Sequence, residues 1–203
     1  MASALEQLEQ QIGVLQNPVP GITQEMRQAA SDFCNNFIDE NRGQWREFFQ
    51  LFAGTKNEQT QYWLLLALTD IVKKYWGELS KEDKEVFIST SYDLLKTYNE
   101  LILSKRHFQV RYSVLYVQLV KVAYPEMWPT AFTSLLELAN TSESFIPTIV
   151  QTLEFFNDDI VDESKKSEAD PHFKAVATNV KDSMKPADVP AIINFCKIIL
   201  ENP

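Results

Sequence analysis

The side chains that could act as nucleophiles, bases or metal ligands are few and far apart. His107 and His172 are the only histidines, and Cys34 and Cys196 are the only cysteines. A pair such as Cys34 and His172 would need a shaped loop to bring thiol and imidazole together, but both lie in helical patterns. No spacing typical of a zinc protease, a redox dithiol, a serine hydrolase or a phosphate-binding loop occurs. The sequence therefore predicts an interaction protein that is not an enzyme, without a cofactor or a small-molecule substrate.

Acidic side chains cluster at Asp158, Asp159, Asp162 and Glu163. A carboxylate metal site usually needs a turn on which several oxygens converge, and glycine commonly supplies that turn. All five glycines lie before residue 78. The cluster is therefore predicted to be a solvated helix end and loop, with an acidic contact surface for a basic partner as the alternative. No metal site is predicted.

Basic side chains cluster weakly, at Lys105, Arg106, His107 and Arg111. A single-strand groove would need cations and aromatic rings interleaved on an exposed face, whereas the aromatic residues here follow the apolar stripes. The net charge is −9, with 28 acidic and 19 basic side chains. Because phosphate neutralisation supplies most nucleic-acid affinity, this chain alone is not expected to bind nucleic acid tightly.

The elements that carry these residues are predicted to be helices. Apolar residues recur at intervals of three and four along most of the chain, and glycine is scarce. Helices are predicted over 4–15, 23–39, 44–52, 58–76, 80–98, 105–123, 129–139, 144–161, 170–184 and 186–200. Both cysteines are predicted to be reduced core residues. The N-terminus is not expected to be a signal peptide, and no apolar run reaches the roughly 18 residues of a membrane span.

The segment 106–123 carries two apolar stripes. One contains Phe108, Tyr112, Leu115, Leu119 and Val122, and the other contains Val110, Val114 and Val117. A surface helix needs only one stripe, so this helix is predicted to be buried on both sides.

Long helices begin near 23, 59, 106 and 144, an average spacing of about 40 residues, which is typical of HEAT and armadillo arrays. The fold class predicted is an all-α superhelix of about four HEAT-like helix pairs, with a compact bundle as the alternative.

The corner Tyr124-Pro-Glu-Met-Trp-Pro129 is predicted to join two antiparallel helices, with Trp128 filling the wedge between them. The run from Phe108 through this corner to Leu136 resembles the exportin-type domain of the importin-β superfamily, as does the helix at 62–79. Within that superfamily, the segments 145–163 and 173–200 are most similar to the exportin-t family, which exports tRNA.

The resemblance implies that residues 1–203 are the N-terminal HEAT-repeat portion of a longer shuttling receptor, which moves between nucleus and cytoplasm and has no enzymatic activity. It implies that RanGTP binds the second helices of the repeats, over 44–53, 80–99 and 129–140, and that tRNA is bound with help from further repeats. Nucleoporins are further implied partners. An exportin for a protein cargo and an unrelated helical scaffold are the alternatives.

The residues expected to face Ran are the polar residues of the second helices that lie outside their apolar stripes. They are Gln44, Glu47, Lys84, Ser89, Tyr92, Lys96, Asn99, Thr133 and Glu137. Lys105 and Arg106 are the residues expected to face RNA. No catalytic or metal-binding residue is assigned.

Overall fold

The computed structural model describes residues 4–16, 20–161 and 171–201, and every regular element in these ranges is helical. The all-α prediction is thus confirmed. The α-helices are α1 (Ala4–Gln16), α2 (Gln24–Asn41), α3 (Trp45–Gly54), α4 (Glu58–Tyr75), α5 (Lys81–Thr97), α6 (Asn99–Ser104), α7 (Arg106–Ala123), α8 (Ala131–Thr141), α9 (Ile146–Phe156), α10 (Pro171–Met184) and α11 (Asp188–Glu201). Short 3₁₀ turns lie at Arg42–Gln44, Trp76–Glu78 and Glu143–Phe145, and a π-helical turn at Asn157–Val161 follows α9.

Polar side chains define where several helices begin. Thr23 accepts a hydrogen bond from the Met26 amide at 3.2 Å and so caps α2. The side-chain oxygen Oδ1 of Asn57 accepts hydrogen bonds from the amides of the second and third residues of α4. Ser80 accepts from the Asp83 amide at 3.0 Å and donates to the Asp83 carboxylate at 2.8 Å. These contacts satisfy backbone amides that have no partner inside the helix, and the cap predicted at Ser80 is confirmed.

The chain divides into two compact units, Met1–Thr90 and Ser91–Pro203, with the boundary inside α5. The core of the first unit is aromatic. Phe37 of α2 lies 5.8 Å from Phe48 of α3 and 6.2 Å from Trp63 of α4, measured between ring centroids. The Phe87 ring of α5 lies 4.9 Å from that of Trp45. Rings in edge and tilted contact bury large apolar areas, so these four helices share one core.

In the second unit α7 packs centrally. Phe108, Tyr112, Leu115 and Leu119 are buried, as is Val117 of the other stripe. The predicted burial on two sides is therefore confirmed. Val110 and Val114 are only half-buried, and Val122 is exposed over 40% of its surface. Val122 lies on a side of the last turn that no other helix among the described residues covers, whereas Ala123 in the same turn is buried.

The corner between α7 and α8 is a series of turns at 124–127. Trp128 is buried, and its ring centroid lies 4.8 Å from that of Tyr116. The Tyr116 hydroxyl donates to the Ala131 carbonyl at 2.6 Å, at the start of α8. Trp128 thus fills the wedge as predicted, although α8 begins two residues after Pro129.

Several sequence-based predictions were wrong in detail. Helical spacing predicts one apolar face of α2 that includes Met26 and Ala29, but both are exposed, and the buried positions are Ala30, Cys34 and Ile38. The predicted helix over 80–98 ends at Thr97, and the short helix α6 that follows was missed. At Tyr98 the backbone leaves the helical conformation, with φ −111° and ψ 29°, and no glycine or proline in the sequence signals this break. The charged loop predicted at 162–170 lies outside the described residues.

Candidate interaction surface

The second helices of the predicted repeats are α3, α5 and α8, and most of the polar residues expected there reach solvent. Five of the nine are exposed: Gln44, Glu47, Ser89, Lys96 and Glu137. The other four are half-buried: Lys84, Tyr92, Asn99 and Thr133. For these four the prediction of an exposed surface was wrong, because neighbouring residues cover part of each side chain.

In the first unit, the candidate residues lie along the pairing of α3 with α5. Arg46 of α3 bonds Asp83 of α5 at 2.7 Å. The hydrogen bond from Ser80, followed by that from Arg46, lowers the pKa of the Asp83 carboxyl. The Lys84 ammonium lies 5.8 Å from the centroid of the Trp76 ring, which accounts for its partial burial. With its amide nitrogen turned toward Glu47, Gln44 donates to that carboxylate at 3.0 Å. The exposed polar side chains of the α3–α5 pair therefore lie near the N-terminal ends of both helices.

In the second unit, Tyr92 connects α5 to α8. Its hydroxyl donates to the Ser134 carbonyl at 3.0 Å. Burial is the main cause of the raised pKa of Tyr92. Lys96 lies 4.8 Å from the Tyr92 ring centroid and bonds Asp93 at 2.8 Å. Tyr92 is thus a link between helices, and replacing it would disturb packing as well as any partner contact.

The remaining polar candidates make local contacts. The Ser89 hydroxyl donates to the Val86 carbonyl and the Thr133 hydroxyl to the Thr130 carbonyl, each one turn back in sequence. The Asn99 side chain accepts from the amide of Glu100. None of these contacts reaches a neighbouring helix, so these residues take little part in holding the unit together.

Thr133 and Glu137 also line a groove of about 240 Å³ between α8 and α11. The α11 side of this groove, which includes Asn194 and Ile198, was missed by the sequence reasoning. Ile198 is 51% exposed. The signal that could have found it is the excess of apolar residues in α11, which carries isoleucines on more than one face.

The two residues expected to face RNA lie where α7 begins. Lys105 occupies the cap position and is half-buried, and Arg106 is the first helical residue and is exposed. The Lys105 carbonyl accepts from the amides of Phe108 and Gln109. Their role in RNA binding stays a prediction.

The acidic cluster is only partly described. Asp159 lies in the π-helical turn and bonds Lys121 of α7 at 2.9 Å and the Gln118 amide at 3.1 Å. Asp162 and Glu163 lie outside the described residues. Asp159 therefore ties α9 to α7 as well as facing solvent. Among the described residues, no group of three or more histidine, cysteine, aspartate or glutamate side chains could hold a metal ion.

Buried tyrosines hold the helices of the second unit in register. The Tyr112 hydroxyl donates to the Ser91 carbonyl at 3.0 Å, and the Tyr124 hydroxyl donates to the buried Asp188 carboxylate at 2.6 Å. Burial raises the pKa of Tyr112, Tyr116 and Tyr124, and the bond to Asp188 raises that of Tyr124 further. Because each hydroxyl has a fixed acceptor, the relative positions of these helices are strongly specified.

The two cysteines differ, although both were predicted to be core residues. Cys34 is buried, and burial raises its thiol pKa to about 11. Cys196 is exposed, so the prediction was wrong for it, because its position on α11 faces away from the core. Both are free thiols.

Since the thiolate is the reactive form, we expect Ellman's reagent to modify Cys196 in the native protein and Cys34 only after unfolding. A Cys196→Ser variant should lose the fast reaction seen in the native protein and keep the slow reaction of Cys34, which requires unfolding. Equal reaction rates for both thiols in the native protein would contradict this assignment.

No helix among the described residues is long and apolar enough to cross a bilayer.

Comparison with known proteins finds a family model that is similar to the C-terminal part of the chain. Residues 105–203 match the family model described as Exportin 1-like protein. The chain is 23% identical over 160 residues to Protein EXPORTIN 1A of Arabidopsis thaliana, which covers 77% of this chain and 15% of that protein. It is 21% identical over 174 residues to Exportin-1 of Drosophila melanogaster, covering 81% of this chain and 15% of that protein.

These matches support the exportin-type resemblance at the level of an Exportin 1-like domain and weak homology to exportin-1. The chain spans about 15% of the length of these relatives. The narrower likeness to the exportin-t family stays a prediction from the residues.

Proposed function

We propose that this chain, which carries an Exportin 1-like domain at 105–203, is part of a nuclear export receptor that shuttles between nucleus and cytoplasm. The domain match is the observation that carries the proposal. Helix pairs whose polar second helices reach solvent are the architecture that such a role requires. Exportins act by binding and have no catalytic step of their own, so no enzymatic residue is assigned.

The partner proposed for the second helices is Ran in its GTP form. Its contacts would be made by the exposed polar residues of α3, α5 and α8, which include Glu47, Lys96 and Glu137. The net charge of −9 supports this partner, because the exportin resemblance implies that Ran presents basic surface to its receptors. Opposite charge speeds encounter and selects against wrong partners.

Capture of purified Ran by the immobilised chain tests the proposal. Ran locked with a non-hydrolysable GTP analogue should be retained, and Ran loaded with GDP should not. Equal retention of both forms, or retention of neither, would favour an unrelated helical scaffold, the second candidate.

A charge reversal on α3 tests the predicted face. We expect Glu47→Lys to weaken capture of GTP-loaded Ran by roughly threefold to tenfold, since it places a cation opposite a basic surface. Glu40→Lys is the matched control: Glu40 is also exposed in the first unit, but it lies on the first helix of its pair, α2. If both variants bind equally, or if only Glu40→Lys loses affinity, the face is wrongly assigned. Melting temperatures of the two variants should agree with that of the unmodified chain.

The cargo proposed from the likeness to exportin-t is tRNA, with Lys105 and Arg106 as its contacts here. The acidic charge of the chain favours a protein cargo, because few cations are present to neutralise phosphates. Adding tRNA to a capture assay of the whole receptor, with its further repeats, separates the two. Cooperative, salt-sensitive retention of tRNA with GTP-loaded Ran supports the first, and no retention supports a protein cargo. Nucleoporins, a further proposed partner class, can be assayed by the same capture.

A further inference from the structure

In the second unit, α8 packs against α11 and is also linked to the end of α5, where the Tyr92 hydroxyl bonds the Ser134 carbonyl. A groove of about 240 Å³ runs along the contact between α8 and α11. The groove therefore lies on the surface of a packed helix pair.

The open groove combines an apolar floor with free amides. Leu136, Phe195 and Ile198 contribute apolar surface, and Ile198 remains 51% exposed. Asn140 and Asn194 also line it, and within the described residues neither side-chain amide makes a hydrogen bond. Each amide offers two donors and an acceptor, which match the alternating amide and carbonyl groups of an extended peptide.

The charge at the groove is negative. Glu137 is exposed on the α8 wall, and no cation is among the lining residues. A groove with an apolar floor and a carboxylate on its wall complements a peptide in which an apolar side chain stands next to a basic one.

We infer that the α8–α11 groove binds an extended peptide segment of a partner protein. The segment would place a bulky aliphatic side chain on the Leu136 and Ile198 floor. Its backbone would bond the amides of Asn140 and Asn194, and an adjacent lysine or arginine would face Glu137. This site goes beyond the export proposal and needs neither Ran nor nucleotide. The peptide site and the export proposal can therefore be tested separately, and one can fail without the other.

Solution NMR of the whole chain, labelled with nitrogen-15, tests the inference site by site. The probe is the peptide Gly-Ser-Leu-Lys-Lys-Ser-Gly, compared with one in which alanine replaces leucine and one in which glutamates replace the lysines. The side-chain amide signals of Asn140 and Asn194 should shift on titration with the first peptide, and each altered peptide should bind at least threefold more weakly. Absence of these shifts, or equal shifts with all three peptides, overturns the inference.

Charge reversal in the groove gives an independent readout. Glu137→Lys should weaken binding of the lysine peptide by about tenfold and strengthen binding of the glutamate peptide. Glu143→Lys is the matched control, since Glu143 is exposed in the 3₁₀ turn before α9, outside the groove, and it should leave both affinities unchanged. If the groove amides shift with protein concentration in the absence of peptide, a second copy of the chain occupies the groove and the peptide assignment is wrong.

Discussion

Replacing Trp128 with alanine is expected to lower the free energy of unfolding of the second unit by about 3–5 kcal/mol, the usual cost of deleting a buried large aromatic side chain. Trp128 is 7% exposed and packs against Tyr116, whose hydroxyl fixes the start of α8. Loss of the indole would leave a cavity at the corner and loosen the hydrogen bond beside it. Urea denaturation followed by far-ultraviolet circular dichroism measures the change.

Trp76→Ala is the comparison for this experiment. Trp76 is half-buried in the 3₁₀ turn after α4 and contacts Phe87 at the edge of the first unit. Its removal should cost less, because part of the ring already contacts water in the folded state. Equal losses for the two variants, or no loss for Trp128→Ala, would show that the corner is not held by its tryptophan.

Stability is expected to fall steeply at alkaline pH because of the buried tyrosines. The fold raises the pKa of Tyr112, Tyr116 and Tyr124 above the ordinary value. Below about pH 10 both folded and unfolded chains keep these protons, so the contribution to stability is constant. As the pH rises further, the unfolded chain releases protons that the folded chain retains, and each tyrosine lowers the free energy of unfolding by about 1.4 kcal/mol per pH unit.

Three such groups give a slope of roughly 4 kcal/mol per pH unit. Against a typical stability of about 5–15 kcal/mol, this predicts unfolding within a few pH units above 10. Urea denaturation at a series of pH values measures the slope.

A Tyr112→Phe variant separates this cause from general alkaline effects. It removes one of the suppressed ionisations, so the slope should become shallower by about 1.4 kcal/mol per pH unit. If the slope is the same in the variant and the unmodified chain, titration of lysines or another group causes the loss.

The helical fold could be predicted from the sequence because its signals are local. Helical spacing of apolar residues, the Ser80 cap and the proline-flanked corner each act within a few residues of chain. Two stripes on 106–123 correctly indicated a helix buried on both sides. The short helix α6 was missed because a bend without glycine or proline leaves no local mark.

The candidate surface could be predicted only in part. The exposure of Glu47, Lys96 and Glu137 could be predicted because these residues lie on helix faces without apolar residues, and such faces reach solvent. Tyr92 and Cys196 were misplaced because their surroundings depend on helices distant in sequence. Tyr92 finds its acceptor 42 positions away, and helical periodicity contains no information about that distance.

The sequence by itself determined that this protein is a chain of helices with a proline-flanked corner and an excess of acidic side chains, because periodicity, caps and charge depend only on residue order. Tertiary structure alone decided which helices meet and where a groove remains between them. Tyr92 reaches Ser134 between α5 and α8, and α8 packs against α11 with the groove along that contact. Such contacts depend on how neighbouring helices are spaced and rotated, which the pattern along one helix does not specify.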